Sequence, residues 1–398
     1  MCSKRSSPHD ADRTRRAHPH RLLHLRAQVL ARLLLQEVEE VVVAHLEHLG
    51  RDAHAHRVAL ALVEVDHDLH VHLRGSGPPG TLPPRGAWQT GEQHRWHDPG
   101  VARTVELLTA DGVTLRGRLD LPSGTGPHPA VLMAHGFSAT VAMRLDGFAD
   151  AFAAAGFVVL AYDHRGFGRS GGEPRSYVDP WRQTFDALGA LAWLGAQSEV
   201  DAARVALWGS SFSGGEMVVV AALDANVRAV VAQVPFTGPG DLAPDDTLAL
   251  DARFAAMGER LRALPAIDGE PIGPIPVVTD TDGGVAVMPQ PEAFAWFERV
   301  GHEQDAAWES VVTLGGMTTD PPFDPLAAAG HLPGALLVVA ADADTLTPTA
   351  GALALHERAS GPKALHRVAG HHFVVYDDPT FAEVTAVETA FLREHLGH

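Results

Sequence analysis

From about Thr104 onward, short continuous apolar runs alternate with longer stretches whose apolar residues recur at helical spacing. The runs, bounded by turn residues, read as strands, and the stretches between them read as helices. Thr104 to Thr109 and Val113 to Leu121 flank Asp111-Gly112 and predict a β-hairpin. Further strands are expected near Ala130, Phe157, Val205, Val227, Leu336 and Leu365. Helices are expected over Leu145 to Ala155, Pro180 to Gln197, Gly214 to Leu223, Thr349 to Ala359 and Thr380 to His395. Strand followed by helix, repeated, predicts an α/β fold with a doubly wound, mostly parallel sheet over residues 101–398.

The alternation breaks at about Pro239 and resumes after about Pro325. That interval is too long for a loop in a compact domain, so it needs structure of its own. Asp251 to Ala263 and Pro291 to Arg299 have helical spacing, and Pro274 to Thr279 with Gly284 to Met288 suggests a short hairpin. The interval is read as a cap inserted over the catalytic face. Phe254, Met257, Phe294, Trp296, Phe297, Trp308 and Met317 are its candidate apolar surface, divided between cap core and pocket lining.

Residues 1–100 follow another pattern. They hold 13 of the 24 histidines, several as His-x-His (His54/His56, His70/His72), and end in a Gly- and Pro-rich stretch that reads as linker. A poorly ordered extension, or a start codon placed too far upstream, is the expectation. A His-rich metal-binding tract and a small accessory subdomain are the alternatives. Charge divides at the same point: residues 1–99 carry 13 basic and 12 acidic side chains, residues 100–398 carry 18 and 37. So acidic a main part is a poor binder of nucleic acid or anionic membrane. The single Cys2 excludes an internal disulfide and any cysteine-based metal cluster. No apolar run is long enough for a membrane span, and no secretory cleavage site follows the early apolar run. Cytoplasmic residence is the expectation.

Candidate chemistry sits after the Val205 run, in Trp208-Gly209-Ser210-Ser211-Phe212-Ser213-Gly214-Gly215. A serine between small residues at a strand-to-helix turn is the arrangement that exposes a nucleophilic hydroxyl, and the positions two before and two after it must be small. Gly209 and Ser213 meet that condition for Ser211; Ser210 and Ser213 fit the turn worse as nucleophiles. A serine nucleophile needs a base, commonly a histidine oriented by a carboxylate. Downstream, the run Ala335 to Ala340 ends in Ala341-Asp342-Ala343-Asp344, and the strand near Leu365 ends in Gly370-His371-His372-Phe373. Carboxylate and histidine thus follow the serine in the order Ser, Asp, His, each just past a strand. Asp344 is preferred to Asp342 because it lies farther into the loop. The strand Pro129 to Ala134 runs into His135-Gly136-Phe137, so the backbone N–H groups of Phe137 and Phe212 are the candidate oxyanion hole.

These segments resemble the α/β-hydrolase superfamily over about Thr104 to Leu396. The resemblance rests on Met133-Ala134-His135-Gly136-Phe137, on Tyr162-Asp163-His164-Arg165-Gly166-Phe167-Gly168-Arg169-Ser170, on the Ser211 turn, and on Gly370-His371-His372-Phe373. The elbow is similar to a subgroup near the Xaa-Pro dipeptidyl-peptidase type and the fungal polyketide acyl transferases and thiohydrolases. That subgroup tolerates Ser at the Ser213 position. Its Asp-Thr-Leu-Thr-Pro motif matches Asp344 to Pro348, and its Gly-His-Phe motif places the histidine at His372 rather than His371. The resemblance implies structural roles for Asp163 and Arg165. Glu216 departs from it, standing where the subgroup often has His or Asn.

The resulting expectation is a serine hydrolase acting on a carboxylic ester or thioester, with Ser211 as nucleophile, His372 as base, Asp344 as its orienting acid, a small-molecule acyl substrate and no metal or organic cofactor. Three alternatives stand beside it. An acyl transferase or thiohydrolase would share the triad. An aminopeptidase-like enzyme would use Asp241, Asp245, Asp246 or Asp251 to hold a free amine. A silent binding protein would lack a triad member, and none is missing.

Overall fold

The computed structural model describes residues 102–263, 271–281, 283–303 and 306–397. The expectations for residues 1–100 lie outside the described residues. Strands β1 (Ala102–Leu108) and β2 (Thr114–Asp120) form the expected hairpin, and β2 pairs antiparallel with β4 (Val158–Tyr162). All further pairs of the main sheet are parallel, through β3 (His128–Ala134), β6 (Val200–Ser210), β7 (Val227–Gln233), β10 (Ala335–Ala341) and β11 (Lys363–Val368). The strand order is β1-β2-β4-β3-β6-β7-β10-β11.

Alternate residues of the central strands enter two separate cores. Leu132, Leu160, Leu207, Val230 and Val338 belong to one; Val131, Val159, Ala206, Val231 and Val339 belong to the other. A strand buried on both faces needs apolar residues at every position, which is why these runs are continuous rather than alternating. Helices α1 (Leu145–Ala154) and α8 (Thr380–Leu396) supply the second core; α2 (Pro180–Gly195), α3 (Phe212–Leu223) and α7 (Thr349–Arg358) supply the first. The start of α2 is fixed by its sequence: Asp179 accepts hydrogen bonds from the N–H groups of Trp181 and Arg182, and Pro180 occupies the first turn.

The interval after β7 forms α4 (Thr247–Ala263), β8 (Ile272–Pro276), α5 (Pro291–Gly301), β9 (Val311–Leu314) and the short α6 (Pro325–Ala329). Both expected cap helices are present, but the expected hairpin is not. β8 pairs antiparallel with β9, far along the chain, and β9 pairs parallel with β5 (Tyr177–Val178). The second arm contributes one isolated bridge, Met288 to Val278. The small sheet therefore draws a strand from the segment before α2, outside the interval from which it was expected. Among the described residues, no helix is long and apolar enough to cross a membrane.

Candidate active site

Ser211 lies at the junction of β6 and α3 with φ 57° and ψ −119°. A non-glycine residue at such a conformation costs roughly 1–3 kcal/mol and persists only where its surroundings dictate it. Here they do. The Ser211 N–H donates to the Gln233 carbonyl at 2.8 Å, and its own carbonyl accepts from Phe236 N–H at 2.8 Å and Gly214 N–H at 3.0 Å. The turn is so tight that a Cβ at Gly209 would stand 2.1 Å from the Ser213 carbonyl oxygen. The Ser211 side chain makes no hydrogen-bonded cap to α3.

The neighbouring serines are engaged elsewhere. Ser210 Oγ lies 2.6 Å from the Tyr376 hydroxyl and accepts from Gln233 Nε2 at 3.0 Å. Ser213 Oγ donates to Glu216 Oε2 at 2.5 Å and lies 3.0 Å from His164 Nε2. Both serines are fully buried, whereas Ser211 lines a cavity together with His372.

The loop after β11 carries two histidines with different fates. His371 is exposed and accepts from Phe373 N–H at the start of a 3-10 turn, His372–Tyr376. His372 is buried, and its Nδ1 lies 2.6 Å from Asp344 Oδ2. The other oxygen of Asp344 accepts the N–H groups of Leu346 and Thr347, each at 2.9 Å. Burial pushes the Asp344 carboxyl upward, but the His372 hydrogen bond and charge, with the Thr347 bonds, outweigh it and hold the group below its ordinary value. Asp342 instead faces solvent and pairs with Arg367. Thr347 Oγ1 adds a contact that the sequence reading missed, 3.0 Å from Asp344 Oδ2 and 3.1 Å from His372 Nδ1. Its signal was present in the Asp-Thr-Leu-Thr-Pro stretch.

The loop after β3 closes on Ser211 from the other side. A Cβ at Gly136 would lie 3.0 Å from the Ser211 Cβ, so a side chain there would press on the Ser211 turn. The rings of Phe137 and Phe212 meet edge to face at 5.6 Å, which brings together the two segments whose N–H groups were the oxyanion candidates. Asp163 and Arg165, expected to be structural, are engaged in bonds to neighbouring segments. Asp163 accepts Val141 and Arg169 N–H, and Arg165 bridges Asp186 and Asp111.

The cavity, about 360 Å³ including space open to solvent, is lined by Phe137, Met143, Leu145, Met288, Trp296, Phe297, Phe373 and Tyr376 beside Ser211 and His372. Among the described residues, none that lines it is a carboxylate, lysine or arginine. Of the cap residues expected to form the apolar surface, only those of α5, Trp296 and Phe297, line it. Met257 and Phe254 belong to the opposite core, where Phe254 stacks on His331 at 4.4 Å. Helical spacing placed these residues on apolar faces but carried no information about which face looks toward Ser211.

A parallel sheet with an antiparallel edge, a strained serine at a strand-to-helix turn and a buried Asp–His pair past later strands define an α/β-hydrolase. Residues 111–251 match the family of X-Pro dipeptidyl-peptidases (S15 family). The Escherichia coli protein named "Uncharacterized 31.7 kDa protein in traX-finO intergenic region" is 30% identical over 292 residues, spanning 72% of this chain and 97% of its own. The thiohydrolase aneE of Aspergillus aculeatus is 40% identical over 131 residues, 33% of this chain and 41% of its own. The crystal structure of the alpha/beta hydrolase GrgF from Penicillium sp. sh18 superposes with a TM-score of 0.59 at 27% identity, covering 75% of this chain and all of that one. The chain belongs to the α/β-hydrolase superfamily, in the subgroup near the Xaa-Pro dipeptidyl-peptidase type and the fungal polyketide acyl transferases and thiohydrolases.

Proposed function

We propose that the protein is a serine hydrolase that cleaves a carboxylic ester or thioester through an acyl-enzyme. The observation that carries this reading is the strained Ser211 lining one cavity with His372, whose Nδ1 is paired with the buried Asp344. Ser211 Oγ attacks the carbonyl carbon while His372 takes its proton. The oxyanion of the tetrahedral intermediate is held by the N–H groups of Phe137 and Phe212. Collapse breaks the bond to the alcohol or thiol, which leaves with the proton from His372. Water, deprotonated by His372, then attacks the acyl carbon and releases the acid and the free Ser211 hydroxyl. This sequence as written needs no metal or organic cofactor. The uncharged, aromatic-rich lining supports a small or medium uncharged acyl group.

Transfer of the acyl group to an acceptor other than water is the second reading, and the similarity to a thiohydrolase supports keeping thioesters in view. The aminopeptidase-like reading has less support. Asp241 is paired with Arg253, Asp251 with Arg358, and Asp246 accepts Ala249 N–H at the start of α4. Those carboxylates are occupied and none lines the cavity.

The test is a panel of p-nitrophenyl esters of graded chain length, thioesters of the same acyl groups and aminoacyl anilides, run with fluorophosphonate labelling and peptide mapping. Turnover of esters or thioesters with the label on Ser211 is expected. Labelling of Ser210 or Ser213, or turnover of the anilides alone, would overturn the reading.

A further inference from the structure

Beneath the Ser211 turn lies a buried polar chain that the proposed chemistry does not use. Glu216 Oε2 accepts from Ser213 Oγ, which lies 3.0 Å from His164 Nε2. The backbone N–H of His164 donates to His135 Nε2 at 3.3 Å, and His135 Nδ1 lies 3.0 Å from the Gly136 carbonyl. Because His135 Nε2 accepts, its proton sits on Nδ1 and is donated to Gly136. The His135 and His164 rings pack edge-on at 4.5 Å. Glu216, Ser213, His164 and His135 are all at most 2% exposed.

The two ends of this chain reach the two oxyanion segments. One end fixes the Gly136 carbonyl, which shares a rigid peptide plane with Phe137 N–H, so anchoring the carbonyl aims the N–H. The other end fixes the first turn of α3, which carries Phe212 N–H. We propose that Glu216, acting through Ser213, His164 and His135, is a positioning residue that sets the spacing and direction of the Phe137 and Phe212 N–H groups. This proposal rests on the serine-hydrolase reading above.

The surroundings make Glu216 responsive to pH. Tyr162 and His164 face it from β4 and the following turn, and Asp179 and Asp186 act on it from the N-cap and the body of α2. Asp324, at the start of α6 beside α3, is paired with Arg253. Arg165 engages Asp186, while Glu216 Oε1, His164 Nδ1 and the Tyr162 hydroxyl have no hydrogen-bond partner among the described residues. Burial, aided by Asp179 and Asp186 against the Ser213 bond, pushes the Glu216 carboxyl up to about 8. Burial and then the neighbouring His135 push His164 well down, so both rings stay neutral. Above that pH a charge with one hydrogen bond would strain the chain.

The experiment compares wild type, Glu216→Gln, Glu216→Leu and Ser213→Ala in kcat and KM against pH on a p-nitrophenyl ester. It adds the affinity of an alkyl trifluoromethyl ketone, whose tetrahedral adduct places an oxyanion on the same N–H groups. Wild-type kcat should fall as pH rises through about 8. Glu216→Leu and Ser213→Ala should lower kcat by up to about 100-fold, the scale of a displaced catalytic geometry. Their KM should change little, and ketone affinity should weaken in parallel with kcat. Glu216→Gln, which keeps the shape but cannot ionise, should retain more activity than Leu and lose the alkaline fall. An alkaline fall unchanged in Glu216→Gln overturns the proposal even if Ser213→Ala fails to fold. So does wild-type kcat and ketone affinity in Ser213→Ala. Failure of fluorophosphonate to label Ser211 in the wild type would instead sink the serine-hydrolase reading, and the positioning role with it.

Discussion

His372 Nδ1 lies 2.6 Å from Asp344 Oδ2, with both side chains 1% exposed. A buried carboxylate in this position fixes the histidine tautomer, leaving Nε2 free to accept a proton. Asp344→Asn is therefore expected to lower kcat on the order of 10,000-fold with little loss of fold. Asp342→Asn, which only removes a surface pair with Arg367, should change kcat little. Steady-state kinetics of the two variants check this, and the reverse ranking would move the acid to Asp342.

Gly136 admits no side chain without moving Ser211. Its Cβ position stands 3.0 Å from the Ser211 Cβ and 3.3 Å from the Ser210 carbonyl oxygen. Gly136→Ala should displace the Ser211 turn and cost up to about 100-fold in kcat. Circular dichroism would establish that the variant is folded, and a folded variant with wild-type kcat would show that the loop yields freely.

Trp296 stacks on Phe373 at 4.9 Å and lies 5.0 Å from the Tyr376 ring, all three lining the cavity. Trp296→Ala should open the cavity and move the chain-length optimum toward longer acyl groups. Each methylene in an apolar pocket is worth about 1–3 kcal/mol, so the profile should shift in steps rather than switch. Phe254→Ala, on α4 against His331, should leave the profile in place. kcat/KM across an ester series separates the two, and matching profiles would remove α5 from acyl selection.

Glu388, buried in α8, accepts a hydrogen bond from Trp208 Nε1 at 3.0 Å, and its second oxygen has no partner among the described residues. Burial raises its carboxyl from the ordinary 4.5 to about 8, as it does that of Glu216. Between those values the folded state binds the proton and the unfolded state does not. The stability these groups permit is thus complete below pH 4.5 and is lost as pH rises to about 8. Urea melts across that window should show the midpoint falling with pH, and Glu388→Gln should flatten the fall. A midpoint independent of pH in the wild type would refute the assignment.

The sequence by itself determined the order of the main-sheet strands and of the helices covering them, because a strand buried on both faces must be apolar at every position and a covering helix must repeat its apolar residues once per turn. It also determined the Ser211 turn, since small residues at fixed offsets are a local steric demand that Gly209 and Ser213 satisfy. The sequence already favoured Asp344 over Asp342, two residues earlier beyond the same strand, and tertiary structure supplied the contact which that preference required. Only the loop path brings Asp344 against His372, 28 residues later. Tertiary structure also replaced the expected hairpin by a sheet of β5, β8 and β9, because strand pairing depends on which edges the folded chain brings side by side. It sent Trp296 to the cavity and Phe254 to the opposite core, though both lie on helices with apolar faces. Glu216 looked like a bare departure from a motif. Its partner His164 lies 52 positions earlier, and only the packing of α3 against the turn after β4 makes the two one hydrogen-bonded unit. Periodicity reports whether a side chain is buried; which buried neighbours it meets is fixed by contacts between segments distant in the chain.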